Sequence, residues 1–237
     1  MKMQSEILNR SFFTGNNVET IARELLGKFL LTNTFESGLT GGIVIEVEAY
    51  LGTKDMASHA YNDCRSNRNE SLYKDGGIAY VYLCYGIHNM FNIVTNKAGI
   101  PQGVLIRGLI PVCGIDIMSE RRGGGGSTKP YNNLAIGPGN LTKALGIGMR
   151  HNGVLVCADD AVKNGNNLDL EIFLEDRGIK IDENMIVASP RIGVNYAGEW
   201  AKKPLRFHLR EGFLINRNSR EINLSIKNTD QIRVIND

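Results

Sequence analysis

The sequence predicts a single mixed α/β domain built on an antiparallel sheet, and three observations predict it. Short β-branched and aromatic runs recur through the chain, separated by brief Gly- or Asn-containing turns. A few amphipathic stretches stand between and beside them, as helices that flank a sheet do. With 237 residues and 42% hydrophobic content, the chain is long enough to bury a sizeable core without staples.

Residues 17–27 read as the first helix. Asn17 supplies a cap, Val18, Ile21, Ala22, Leu25 and Leu26 form one apolar stripe, and Gly27 ends it. Strands are expected at 28–33, 43–50, 78–85, 89–95 and 103–110, short helices at 114–121 and 139–146, and late strands at 170–174 and 205–209. The segment 121–130, "RRGGGGSTKP", is expected to be a flexible surface loop, because four consecutive glycines hold no single conformation. It is not a phosphate loop, since Ser127 and Thr128 precede Lys129 instead of following it. No dinucleotide, zincin or serine-hydrolase motif occurs.

The formal net charge of +2 means that an anionic partner must be met by a local patch. Cys64, Cys84, Cys113 and Cys157 are far apart and form no CxxC pair, so we expect reduced thiols and no metal site. The N-terminal "MKMQSEILNRSFF" has no apolar signal region, and nothing reaches the length of a membrane span. A cytoplasmic location, no membrane association and a monomer are the expectations.

Two stretches carry chemistry. In "IVIEVEAYLG", residues 43–52, alternation puts Ile43, Ile45, Val47 and Ala49 on one face, with Val44, Glu46, Glu48 and Tyr50 on the other. The second face is either a solvated outer surface or a cleft wall, and the strand alone favours the solvated surface. In "GGIAYVYLCYGIHNMFNIVT", residues 76–95, Tyr80, Tyr82 and Tyr85 precede His88 and Asn92. They are strand formers, and beside Tyr50 they would also make an aromatic slot for a planar ring. Arg107, among apolar neighbours in "GVLIRGL", needs a carboxylate, and Glu46 and Glu48 are the candidates.

These motifs, together with "SHAYN", "GPGNLTKALGI" and "RIGVNYAGEWAKKPLRF", resemble the alkyladenine (3-methyladenine) DNA glycosylase family in its vertebrate and bacterial branch. The likeness runs in order from about residue 10 to 210, leaving out the glycine insert and the C-terminal tail. It implies a curved antiparallel sheet with surrounding helices, no cofactor and no metal. The implied substrate is double-stranded DNA containing damaged purines, from which an alkylated or deaminated base is flipped out and released. By position, the resemblance makes Glu48 the general base and has Arg107 and Ile192 help to hold the attacking water. Tyr50, His59 and Tyr82 enclose the base, Asn92 excludes guanine, and Tyr85 wedges into the duplex. Ile87, His88, Arg65 and Lys202 fall at DNA-contacting positions.

The chemistry suits such residues. Breaking an N-glycosidic bond leaves an oxocarbenium-like sugar, which calls for an anion and a base that activates water. Aromatic faces attract a cationic alkylated base. Arg191, Lys202, Lys203, Arg206 and Arg210 against Glu199 would give a positive face, and the helix opened by "GPGNL" would offer free N–H groups to a phosphate. Two other classes compete. Glu46 and Glu48 could be the paired acids of a carbohydrate hydrolase, which would need both. A non-catalytic nucleic-acid module would need the tyrosines and no buried acid.

Overall fold

The longest strand of the sheet begins five residues earlier than the sequence suggests and is buried along both faces. We describe a computed structural model for residues 5–34, 38–123, 133–158 and 170–210. Its strands are β1 (Glu6–Ile7), β2 (Phe29–Thr34), β3 (Gly38–Tyr50), β4 (Ala79–Cys84), β5 (His88–Thr95), β6 (Gln102–Cys113), β7 (Ile172–Asp176), β8 (Ile186–Ser189) and β9 (Arg206–Leu209). Helices α1 (Arg10–Thr14), α2 (Val18–Leu25), α3 (Ile115–Arg121) and α4 (Pro138–Leu145) accompany them. Of the expected loop at 121–130, residues 124–130 lie outside the described residues, as does the whole tail after 210.

Among the described residues the nine strands form one open sheet in the order β1-β7-β2-β3-β6-β5-β4, with β9 joined to β3 and β8 to β9. All of its ladders are antiparallel. The fold is the mixed α/β class that the sequence predicts. Asn17 caps α2 as expected, its side chain accepting from Thr20 N–H. Helix α2 packs on β3 and β6, and α4 on β5 and β6.

Strand β3 changes partners halfway. Its first half, Gly38 to Ile43, pairs with β2, while Glu46 to Glu48 pairs with β9. At this change Ile45 is left out of the β6 register on one strand and Arg107 on the other, because Glu46 faces Gly108 and Val47 faces Ile106. Such bulges bend a strand and re-aim side chains. The expectation of one solvated face is thereby corrected: Val44 and Glu48 are fully buried. Gly42 allows the close approach of the strands, since a Cβ there would lie 2.0 Å from the Ile110 carbonyl oxygen.

Beyond the main core, two small clusters support the connections. Ala60, Leu72, Tyr73, Tyr80 and Val94 pack the 52–73 segment onto β4 and β5. Ala57, Val194 and Ala197, with Tyr50 and Trp200 against them, join it to the 195–202 turn.

Candidate active site

A cleft of about 410 Å³ opens where these segments meet the C-terminal half of β3, and Tyr50, His59, Tyr82, Asn92, Arg107 and Ile192 all line it. Glu48 lies directly behind this wall with no exposed surface. Its Oε2 accepts from the Tyr50 hydroxyl at 2.8 Å and its Oε1 from the Ile192 N–H at 2.8 Å. Arg107 Nη1 stands 3.3 Å from the same Oε1. All three partners are cleft residues. Burial raises the pKa of Glu48, and Arg107, the Ile192 N–H and Tyr50 only partly oppose it. Tyr50 is itself held neutral, its pKa pushed well above the ordinary value by burial and then by the Glu48 charge.

Glu46 is occupied differently. Its Oε1 accepts from Arg107 Nε at 3.0 Å and from Arg206 Nη1 at 2.9 Å. Arg107 therefore bridges both acids, as its apolar setting in the sequence suggests. The bulge that removes Arg107 from the ladder puts it within reach of both.

The aromatic side of the cleft is built on β4, where residues two apart share a face. The Tyr80 and Tyr82 rings lie 5.4 Å apart, and His59 meets Tyr82 edge to face at 4.5 Å. His59 Nδ1 shares a 2.8 Å hydrogen bond with the Tyr80 hydroxyl. Burial and then Arg68 lower the pKa of His59, so the ring is neutral near pH 7. Asn92, buried on β5, donates from Nδ2 to the Tyr80 carbonyl at 3.2 Å, and this also orients its amide at the cleft.

Tyr85 is different again. It is 90% exposed at the tip of the β4–β5 hairpin, with φ +50° followed by Gly86 at +72°. Two consecutive positive φ values mark a type I′ turn, closed here by Ile87 N–H donating to Cys84 O at 3.1 Å. Ile87, 72% exposed, follows two residues on, and His88 lies over Gly139 at the start of α4.

The predicted basic face is only partly present. Lys202 and Arg65 are exposed, but Lys202 pairs with Glu199 at 3.2 Å and Arg65 with Glu70 at 2.6 Å. Arg206 turns inward to Glu46, and Arg210 donates to Asn184 O. Arg191 is buried: its Nη1 and Nη2 meet Asp55 at 2.5 and 2.8 Å, and its guanidinium lies 4.6 Å from the Tyr50 ring centroid. Nothing in the sequence singles out Asp55 or Arg68 as parts of this neighbourhood, whereas Tyr80 lines the cleft as the aromatic run on β4 suggests. A signal existed for Arg191, which like Arg107 is an arginine with apolar neighbours on one side.

Comparison with known proteins agrees with this architecture. The family model for "Methylpurine-DNA glycosylase (MPG)" matches residues 11–212. Curated relatives that bear the name "Putative 3-methyladenine DNA glycosylase" include the following two. The one from Chlamydia felis is 40% identical over 203 residues, covering 86% of this chain and 96% of its own. That from Bacillus cereus strain G9842 is 40% identical over 202 residues, covering 84% and 94%. The match takes in every cleft residue described above, and the chain belongs to the methylpurine-DNA glycosylase family.

Proposed function

We propose that this DNA repair glycosylase hydrolyses the N-glycosidic bond of damaged purines with Glu48 as the base that activates water. The observation that carries the reading is the setting of Glu48: a buried carboxylate whose three bonding partners, Tyr50, Arg107 and Ile192, all line the cleft. Arg107 and the Ile192 N–H fix Oε1, so the carboxylate keeps one orientation while the attacking water approaches from the cleft side. Desolvation makes Glu48 a stronger base than a free glutamate, which suits proton abstraction near neutral pH. Its negative charge also stabilises the oxocarbenium-like sugar.

In this reading a flipped base lies between Tyr50 and the pair formed by His59 and Tyr82. A base alkylated at a ring nitrogen is cationic, and the ring faces favour it over a neutral one. Asn92 presents its amide where the exocyclic amino group of guanine would enter. Tyr85 fills the vacated stack, supported by Ile87, while His88, Arg65 and Lys202 contact the backbone of damaged double-stranded DNA. No cofactor or metal takes part in this scheme. The chain works as one glycosylase domain and as a monomer and, in a bacterial cell, in the cytoplasm and on the nucleoid when bound to DNA. The carbohydrate-hydrolase alternative is disfavoured because Glu46 is already bridged by two arginines and, unlike Glu48, accepts no hydrogen bond from Tyr50 or Ile192 of the cleft.

Single-turnover release of free base tests the reading. Duplexes carrying 3-methyladenine, 7-methylguanine, hypoxanthine or ethenoadenine are compared with undamaged duplex. Release of at least one modified base with the strand left intact is expected. No release from any of them, or release that requires an added metal, contradicts the scheme.

A further inference from the structure

The mechanism leaves one buried charged pair without a task. Asp55 and Arg191 each have no exposed side-chain surface. Asp55 accepts both terminal nitrogens of Arg191 and also the N–H groups of Leu51 and Ala57 at 3.0 Å. Arg191 Nη1 donates further at 2.9 Å to the carbonyl oxygen of Ala49, the residue between Glu48 and Tyr50. Among the described residues Arg191 Nε has no hydrogen-bond partner. Burial works against the Arg191 charge, but the hydrogen bond and charge of Asp55 outweigh it and raise its pKa, so the guanidinium stays ionised.

Two placements connect this pair to the cleft. Arg191 immediately precedes Ile192, whose N–H holds Glu48. Its guanidinium lies over the Tyr50 ring, and Tyr50 lines the cleft whereas Arg191 does not. The cation thus backs the ring on which the base is to stack. An unneutralised cation there would oppose a cationic base and would leave a neutral one unaffected. The carboxylate that cancels it is Asp55, held in a two-point contact and buried with it.

We propose that Asp55 is a specificity-determining residue: by neutralising Arg191 behind Tyr50, it lets the cleft accept purines that carry a positive charge. The proposal rests on the stacking role given to Tyr50 above. Arg191 and Asp55 are positioning residues in this account, since neither reaches the cleft. The size of the effect follows from the guanidinium–ring spacing of 4.6 Å plus one stacking distance. Unit charges about 8 Å apart at an effective dielectric constant of about 20 give a discrimination of roughly tenfold or more.

The experiment is the ratio of single-turnover release rates for 7-methylguanine, which is cationic, and hypoxanthine, which is neutral, in matched duplexes. Asp55→Asn keeps the shape and removes the charge, and it should lower the ratio at least fivefold. Asp55→Glu keeps the charge and disturbs the fit, and it should leave the ratio within about twofold of wild type even if both rates fall. Equal losses on both lesions in Asp55→Asn would reduce the pair to a structural brace and overturn the proposal. Should Asp55→Asn not fold, the double variant Asp55→Asn/Arg191→Gln removes both charges together, an exchange that buried pairs often tolerate. Its ratio should stay within about twofold of wild type, and a shift beyond fivefold would contradict the proposal. Glu48→Gln run beside these keeps the two readings apart: loss of release there with an unchanged ratio in Asp55→Asn refutes only the role of Asp55.

Discussion

Glu46 and Glu48 differ by two positions in the chain, yet their surroundings give them opposite duties. Glu46 is bridged by Arg107 and Arg206, whereas Glu48 is desolvated and bonded to cleft residues. The raised pKa of Glu48 fixes the sign of a pH effect. A base works only when ionised, so the single-turnover rate should fall as pH drops through a midpoint above the ordinary glutamate range, and Glu48→Gln should lose this acid limb. The linked stability runs the other way. A carboxyl whose folded-state pKa is raised loses stabilisation as pH rises from its unfolded value through the folded one. Above that window, melting of Glu48→Gln should show a protein at least as stable as wild type. Asn92→Ser should raise release of normal guanine relative to lesion release, and an unchanged ratio would argue that Asn92 serves only its bond to the Tyr80 carbonyl. Much of this was legible from residue types: Arg107 among apolar neighbours called for an acid. The Asp55–Arg191 pair was not, because the partner of Arg191 stands 136 residues away and nothing local marks Asp55 as that partner.

The β4–β5 hairpin and β3 are the elements that set the site. Tyr85 adopts φ +50°, a region that costs a non-glycine residue about 1–2 kcal/mol. Tyr85→Gly should therefore leave stability unchanged or raise it by up to about 1 kcal/mol, while cutting release from duplex DNA far more than from the same lesion in a single strand. Equal losses on both substrates would remove the wedge role. In β3, Gly42→Ala would drive a Cβ against the Ile110 carbonyl. A loss of about 2 kcal/mol or more is expected from denaturant midpoints. The hairpin could be read from alternation and from Gly86. The bulge could not, since period-two patterning assumes an unbroken register and Ile45 is the residue that breaks it. The 52–73 and 195–202 segments have only short 3-10 turns, so no periodicity announced that they would wall the cleft.

Across the whole molecule, burial and pairing decide which charges face a polyanion. Of the five cations in the 191–210 run, Arg191 and Arg206 are drawn into ion pairs at the site, which leaves Lys202, Lys203 and Arg210 exposed. DNA affinity should thus depend modestly on salt, and Lys202→Ala should reduce the slope of log K against log salt by about 1 without changing lesion preference. An unchanged slope would place Lys202 off the DNA path. Apart from the short β1, α1 and β8, the strand and helix plan was legible in order because local patterning sets it, whereas the division of charges between surface and interior depends on contacts far apart in sequence. The two glutamates are told apart by a single comparison. Glu48→Gln and Glu46→Gln are each assayed for single-turnover release from one lesion-containing duplex, with folding and lesion binding checked in parallel. Glu48→Gln should lose about 10²- to 10⁴-fold in rate with binding retained, and Glu46→Gln should lose mainly stability. Release at the wild-type rate by a folded Glu48→Gln variant would contradict the role of Glu48 as the base.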